Sequence, residues 1–271
     1  MRSSKLSGLA LVADWLACPV CRGPVGLEDA VLVCGRGHRF DVARQGYVNL
    51  ALRAAPRNAD TAEMVVARDR FLGSGWYRPL TDAVVQALSA RHRVAEVGAG
   101  TAHHLRAHLE ATPGAAGLAT DVSPAACRHA ARQHDRLGVV VADTWAGLPV
   151  RDAVLDAVLC VFAPRNPDEF TRVLTVDGLL LMVTPGPRHL AELRDGLGLL
   201  GIEAEKLSRL DQSLSAFTLR DRQEVTFPLR LDADAARDLV RMGPNAFHDH
   251  LLPTEVATRA SFTLSSYTRD R

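Results

Sequence analysis

From Arg93 onward the chain repeats one pattern: a short apolar run, a polar or glycine-rich turn, then a stretch with helical spacing. Val94 to Val97 ends in Gly98-Ala99-Gly100, Gly117 to Thr120 in Asp121, and Val139 to Ala142 in Asp143. Leu155 to Phe162 ends in Ala163-Pro164, and Leu179 to Val183 in Thr184-Pro185-Gly186. Apolar runs of strand length joined by helical crossovers, such as 124–135 and 168–174, predict a parallel, doubly wound sheet covered on both faces. Glu224–Leu231 and Ala260–Tyr267 instead alternate apolar with polar residues, which predicts antiparallel strands at one edge. Upstream, Asp60 or Thr61 can cap a helix running to about Leu72, with Met64, Ala67, Phe71 and Leu72 on one face. Gly73-Ser74-Gly75 ends that helix, and Pro79 suits the first turn of another, to about Ala90.

Residues 14–50 break this rhythm. Their apolar pieces, Val31-Leu32-Val33, Phe40-Asp41-Val42 and Tyr47 to Leu50, are cut by glycine and proline into a small β unit with little core. The polar, proline-containing 53–60 links it to the rest. The expected organisation is an N-terminal extension and small β unit over 1–50, a helical connector over 51–92 and an α/β domain over 93–271. No run approaches the roughly 20 apolar residues that cross a bilayer. The first residues faintly resemble a secretory leader, but Asp14 interrupts the apolar region, so the chain is read as cytoplasmic, with no membrane partner.

The composition, with 47% hydrophobic and 23% charged residues, excludes a disordered or fibrous chain. A net charge of +1 sets up no chain-wide field for nucleic acid. Charge is unevenly placed, however. The first 60 residues hold eight basic side chains against five acidic ones, so a surplus suited to positioning a phosphate backbone lies beside the β unit. Lys5 and Lys206 are the only lysines, a bias read first as a GC-rich genome and second as phosphate recognition.

Five cysteines make an odd count with no disulfide-framework spacing. Cys18-x2-Cys21-x12-Cys34-x3-His38 supplies three thiolates and one imidazole, a closed tetrahedral set for a structural zinc ion. Gly35 and Gly37 let the second knuckle fold, and metal binding would supply the folding energy that so small a unit lacks. Cys127 and Cys160 lie in apolar runs and are read as buried hydrophobes. His104 and His108 have i,i+4 metal spacing but are read, with His103, as surface histidines, as are His248 and His250.

Ala95-Glu96-Val97-Gly98-Ala99-Gly100-Thr101-Ala102 reads as a strand turning tightly into a helix whose N-terminus offers free N–H donors. Asp121, about 20 residues on, can bind ribose hydroxyls. Asp143, ending the third strand, can accept from an adenine amino group. A dinucleotide would prefer a third glycine and no acid beside the loop. Glu96 suits a ligand with a positive amino-acid end, which points to S-adenosylmethionine rather than NAD.

Taken together, the β unit, Arg44 to Leu50, Ala62-Glu63-Met64, Val161 to Asn166 and Thr184 to Leu190 resemble the ribosomal RNA large-subunit guanine-N1 methyltransferases. The likeness spans residues 14 to about 245, and Phe162 to Asn166 looks most like the macrolide-resistance, tylosin-type branch. It implies a Rossmann-like class I methyltransferase with an N-terminal zinc ribbon. The implied substrate is guanine N1 in a hairpin loop of 23S rRNA domain II, at the peptide exit tunnel, with macrolide resistance as the outcome. Cys18, Cys21, Cys34 and His38 match the family's zinc ligands. Tyr77, Thr101-Ala102 and His189 fall where the family holds S-adenosylmethionine, with Gly98, Gly100, Asp121, Val122 and Asp143 around them. Glu96 stands where relatives often have Asp. Ala102 replaces the usual last glycine, which predicts weaker cofactor binding if its methyl meets the ligand.

For the target pocket the candidates are Phe162 to stack the base and Arg165 and Asn166 for its edge; no spacing selects a general base. Tyr47 or Phe40 could stack a splayed base of the hairpin, though Phe40 is read as ribbon core. The alternatives are a small-molecule methyltransferase of a biosynthetic cluster and an inactive RNA-binding homologue. A homodimer is left open.

Overall fold

The computed structural model describes residues 3–193, 206–243 and 255–269. The chain begins with α1 (Ser3–Val12) and three short strands, β1 (Val25–Glu28), β2 (Val31–Cys34) and β3 (Arg39–Asp41), followed by β4 (Tyr47–Asn49). Two helices follow, α2 (Ala62–Gly73) and α3 (Arg78–Ala87). Alternation then sets in: β5 (Arg93–Val97), α4 (His103–Ala111), β6 (Ala116–Asp121), α5 (Pro124–Ala130), β7 (Leu137–Val141), β8 (Leu155–Val161), α6 (Pro167–Val173) and β9 (Leu174–Pro185). The last described elements are α7 (Lys206–Ser213), β10 (Phe217–Asp232), α8 (Ala233–Arg241) and β11 (Glu255–Arg269).

Eight strands form one sheet in the order β10-β11-β9-β8-β5-β6-β7-β4. The six from β9 to β4 run parallel, while β11 pairs antiparallel with both β9 and β10. Strand order reverses at β5, which has β6 on one side and β8 on the other, and ligands of such sheets bind outside the strand ends at that point. The expected doubly wound sheet with an antiparallel edge is present, although β10 and β11 extend well beyond the alternating segments.

Each sheet face buries its own core. On one face Phe71 and Leu72 of α2, Leu80 and Val84 of α3, Leu105 and Leu109 of α4 and Leu239 of α8 cover Val94, Val139, Leu159, Leu181 and Phe262. On the other, Leu9 and Val12 of α1, Leu32 and Cys34 of β2, and Phe170 of α6 cover Leu118, Val140, Val158 and Leu180. Side-chain caps set several helix starts: Thr61 accepts from the Met64 N–H (3.3 Å), Ser123 from Ala126 (3.2 Å) and Asp232 from Ala235 (2.8 Å).

The N-terminal region differs from the sequence expectation in two ways. Its leader-like start is α1, lying against β7 so closely that a Cβ on Gly8 would strike the Leu137 backbone and one on Gly138 would strike Val12. Tyr47–Asn49, read as part of the small β unit, keeps an antiparallel bridge to it from Val48 to Val42 and is also the outermost parallel strand of the main sheet, paired with Val139–Val141. Only β1, β2 and β3 form the separate three-stranded sheet.

The histidine expectation is corrected. His104 and His108 are buried, the first bonded to Thr81 Oγ1 (3.1 Å) and the second to the Arg91 carbonyl (2.9 Å). Burial pushes His104 down to about 3, so the ring is a neutral core group. His248 and His250 lie outside the described residues. Cys127 and Cys160 are buried, and burial raises both thiols, Cys160 to about 12.

Candidate active site and metal centre

The donor atoms of Cys18, Cys21, Cys34 and His38 all lie within 4.8 Å of one another. Two tight turns present them. Cys18 N donates to the Gly23 carbonyl and Arg22 N to the Cys18 carbonyl (both 2.8 Å), while Gly37 N donates to the Cys34 carbonyl (2.8 Å). Cys21 Sγ and Cys34 Sγ are 3.8 Å apart, and His38 Nδ1 is 3.6 and 3.2 Å from the sulfurs of Cys18 and Cys34. A zinc ion with bonds of about 2.3 Å to sulfur needs tetrahedral sulfur–sulfur edges of about 3.8 Å. The residues therefore fit one four-coordinate ion with no open position, a structural centre.

The ribbon is tied by hydrogen bonds to the backbone of the loop between β7 and β8. Ala17 N donates to the Pro149 carbonyl (3.0 Å), Arg151 N to the Trp15 carbonyl (2.7 Å), and the Arg22 guanidinium to the Leu148 carbonyl (2.9 Å). Arg22, Arg36, Arg39 and Arg44, with Arg53 and Arg57 of the linker, are exposed, and none makes an ion pair among the described residues.

The second site lies at the carboxyl ends of β5, β6, β7 and β8. Gly98 and Gly100 both have positive φ (59° and 54°). A Cβ on Gly98 would lie 2.5 Å from that of Ala163, so the turn tolerates no side chain there. Asp121 organises the loop: one carboxylate oxygen accepts from Gly100 N and the other from Ser123 N, both at 2.8 Å. Burial raises its pKa against those two donors. Each oxygen keeps a lone pair for a ribose hydroxyl. Glu96 is buried, accepts from Leu105 N in the first turn of α4 (3.2 Å), and is pushed up to about 8 by burial. Thr101 is buried, Val122 half-buried beside Asp121, and Asp143 half-buried, accepting from Trp145 N (3.0 Å).

Ala102 adopts a left-handed conformation (φ 56°) with its methyl fully buried in the core. The methyl therefore packs inward and does not line the crevice, which removes the reason for expecting it to obstruct a ligand. Tyr77 is also buried, edge-on to Phe71 and Phe262 at 5.0 Å each and 6.2 Å from His189. Burial raises its phenol.

Around the end of β8 the candidate pocket residues diverge. Phe162 has a positive φ (54°), which turns its ring toward Phe262 (5.5 Å) and His189 (6.5 Å) and leaves it 49% exposed. An aromatic residue in that conformation is strained, as residues at ligand sites often are. Arg165 is half-buried and forms no hydrogen bond or ion pair among the described residues. Asn166 is engaged at both ends: its oxygen caps α6 by accepting from Glu169 N (3.3 Å), and its nitrogen donates to the Thr144 carbonyl (2.9 Å). It thus ties the loop after β7 to the loop after β8. His189 Nδ1 accepts from Ser261 N (3.2 Å) beside Phe262 (4.6 Å), which fixes the neutral ring with its proton on Nε2, a donor.

Sequence reasoning missed three groups here. Phe262, on β11, supplies the wall against which Phe162, His189 and Tyr77 pack. Trp145 follows Asp143 and is 66% exposed, a second open aromatic ring at this end of the sheet. Arg68 of α2 lies against Gly100. Only Trp145 carried a sequence signal, its position two residues after a strand-end acid; the others arrive from distant segments.

Residues 16–51 match the model of the RlmA N-terminal zinc ribbon. The 23S rRNA (guanine(748)-N(1))-methyltransferase of Streptomyces fradiae is 45% identical over 255 residues, covering 92% of this chain and 90% of that protein. A Micromonospora griseorubida protein named for the same guanine-N1 activity is 45% identical over 86% of this chain and 87% of its own length. Among solved structures, a chain from the Haloferax volcanii complex of the Trm112 activator with a methyltransferase matches with TM-score 0.54 at 16% identity, over 78% of this chain and 97% of that one. YcgJ of Bacillus subtilis matches with TM-score 0.51 at 17% identity, over 70% and 98%. Both structural likenesses speak for the fold alone.

Proposed function

The chain belongs to the 23S rRNA (guanine-N1)-methyltransferase family, and from that premise we propose that it methylates N1 of a guanine in a hairpin loop of 23S rRNA domain II, conferring macrolide resistance. The observation that carries the reading is the pairing, in one chain, of a metal-held basic ribbon with an acid-lined crevice at the strand reversal. No described helix is long and apolar enough to cross a membrane. An rRNA substrate places the work in the cytoplasm.

S-Adenosylmethionine, when bound, supplies an electrophilic methyl on a sulfonium, open to in-line displacement by a nitrogen lone pair. In this reading Asp121 takes the ribose hydroxyls, Asp143 the adenine amino group, and the backbone of Gly98–Gly100 with buried Glu96 the amino-acid end. Phe162, open and held from behind by Phe262, stacks the target guanine. Arg165, with its donors uncommitted, points its charge to the base edge, where it stabilises the negative charge that develops on O6 as N1 gives its proton to solvent water. Asn166 acts through the loops it joins, holding Arg165 in place, which revises its expected contact with the base edge. The exposed arginines of the ribbon and linker and the ring of Trp145 bear on the hairpin's backbone and flanking bases.

Primer extension on 23S rRNA from cells with and without the gene tests this directly. A new stop in the domain II hairpin, with a rise in macrolide tolerance, is expected. An unchanged hairpin would refute the assignment, and activity that survives ribonuclease would favour a small-molecule substrate.

A further inference from the structure

One cation at the crevice has no part in the reading above. Arg68 leaves α2 beside the glycine loop, with its side chain 22% exposed. A Cβ on Gly100 would stand 2.5 Å from its Nη1 and 3.4 Å from its Cδ and Cζ, so the guanidinium occupies the space that the missing side chain leaves. It is held by an ion pair with Asp60 and by a hydrogen bond from Nη2 to the Met242 carbonyl (2.6 Å). Asp60 is itself fixed, its carbonyl accepting from Ser123 Oγ (2.7 Å). Both Glu96 and Asp121 feel the charge of Arg68.

The chemistry of the expected ligand bears on this arrangement. Its amino-acid end carries an ammonium and a carboxylate. Beside the loop, the carboxyl of Glu96 offers an acceptor for the first, and Arg68 a fork of donors for the second. A guanidinium has five N–H donors, and the contacts with Asp60 and Met242 use two. The remaining donors can meet a carboxylate in planar, charge-assisted geometry without release of the existing partners. Arg68 also joins the linker residue Asp60, α2 and the end of α8, so its position is set before a ligand arrives.

We propose that Arg68 is the specificity residue for the cofactor's amino-acid end, binding its α-carboxylate above Gly100. The proposal rests on the methyl-transfer reading. It is separable from that reading with two probes, S-adenosylhomocysteine, which has the carboxylate, and 5′-methylthioadenosine, which shares the adenosine and thioether but lacks the amino-acid end. Calorimetry on the full chain should show Arg68→Gln weakening S-adenosylhomocysteine by about 10- to 100-fold, the scale of a lost charged hydrogen bond. Methylthioadenosine should change by less than about twofold, and Arg68→Lys should fall between wild type and Arg68→Gln, because ammonium keeps the charge but loses the fork. Equal losses for both probes would make Arg68 a structural brace and overturn the proposal alone. A wild-type protein that binds neither probe would overturn it together with the methyl-transfer reading.

Discussion

In the ribbon, four ligands from residues 18–38 bring their donor atoms within 4.8 Å of one another. At the crevice, the groups around the glycine loop come from Asp60 and Arg68, the ends of β5, β6, β7 and β8, and Ser261 and Phe262 on antiparallel β11. The ribbon closes over a short loop and can be held by a metal worth about 10–16 kcal/mol in small zinc modules. The crevice has no such clasp. Its contacts are single hydrogen bonds of about 0.5–1.5 kcal/mol, or about 1.5–3 where a charge takes part, and each depends on the whole sheet being in place. The ribbon's chemistry is thus local and strong, and the crevice's is distributed and individually weak.

The severest test of that contrast is to remove one clasp. Cys21→Ser should lower zinc, measured by elemental analysis, from about one ion per chain to nearly none, and raise amide exchange through residues 18–42. S-Adenosylhomocysteine affinity should stay within about threefold. The test is severe because Cys18, Leu32 and Cys34 pack with Leu9, Val12, Val48 and Val150 under the main sheet, which gives loss of zinc a route to the crevice. If affinity for S-adenosylhomocysteine collapses with the zinc, ribbon and sheet are one cooperative unit and the contrast fails.

A second break point is Glu96, whose burial pushes it up to about 8 from the ordinary 4.5. Between those values the folded chain keeps a proton that the unfolded chain has lost, so stability falls as pH rises through that window. Glu96→Gln keeps an acceptor for Leu105 N and removes the titration. Its melting temperature should match wild type near pH 5 and exceed it progressively toward pH 8.5, by an amount equivalent to at most a few kcal/mol. Parallel curves for the two proteins would show that Glu96 is ionised and paired.

The same contrast explains what could be read from residue order. Four ligands at short spacing announced the ribbon, and the apolar runs announced β5 to β9 because strand and ligand signals are periodic or close in sequence. The α1 docking was not legible, since its cause is the fit of Gly8 and Gly138 across residues far apart in the chain. Nor was β4, three residues that join the main sheet beside β7 while Val48 still bridges Val42 at the end of the ribbon. Helical spacing placed His104 and His108 on α4, but the cover given by Thr81 of α3 and the Arg91 carbonyl, which makes them core groups, is tertiary. At the crevice the strand-end acids were visible, whereas Arg68 and Phe262 carry no local mark.

Phe162 sharpens the comparison inside the crevice itself by testing whether the target base and the cofactor are held by separate groups. Phe162→Ala should lower kcat/KM on an rRNA hairpin by about 10- to 100-fold, in line with about 1–3 kcal/mol for one stacked base. S-Adenosylhomocysteine binding should stay within about twofold, because the ring packs with Phe262 and His189 at the end of β8, whereas Asp121 ends β6 on the other side of β5. Equal loss of both would place Phe162 in the cofactor's wall.

The smallest effect is expected at Ala102. Its left-handed backbone costs an alanine about 1 kcal/mol relative to glycine. Its methyl, fully buried, returns about 0.8 kcal/mol, so the two terms nearly cancel. Ala102→Gly should therefore shift unfolding free energy by less than about 1 kcal/mol and S-adenosylhomocysteine affinity by less than about twofold. A tenfold gain in affinity would show that the methyl obstructs the ligand after all. A null result would mean that glycine is needed in this loop only at Gly98 and Gly100, where positive φ coincides with a neighbour within 2.5 Å of the missing Cβ.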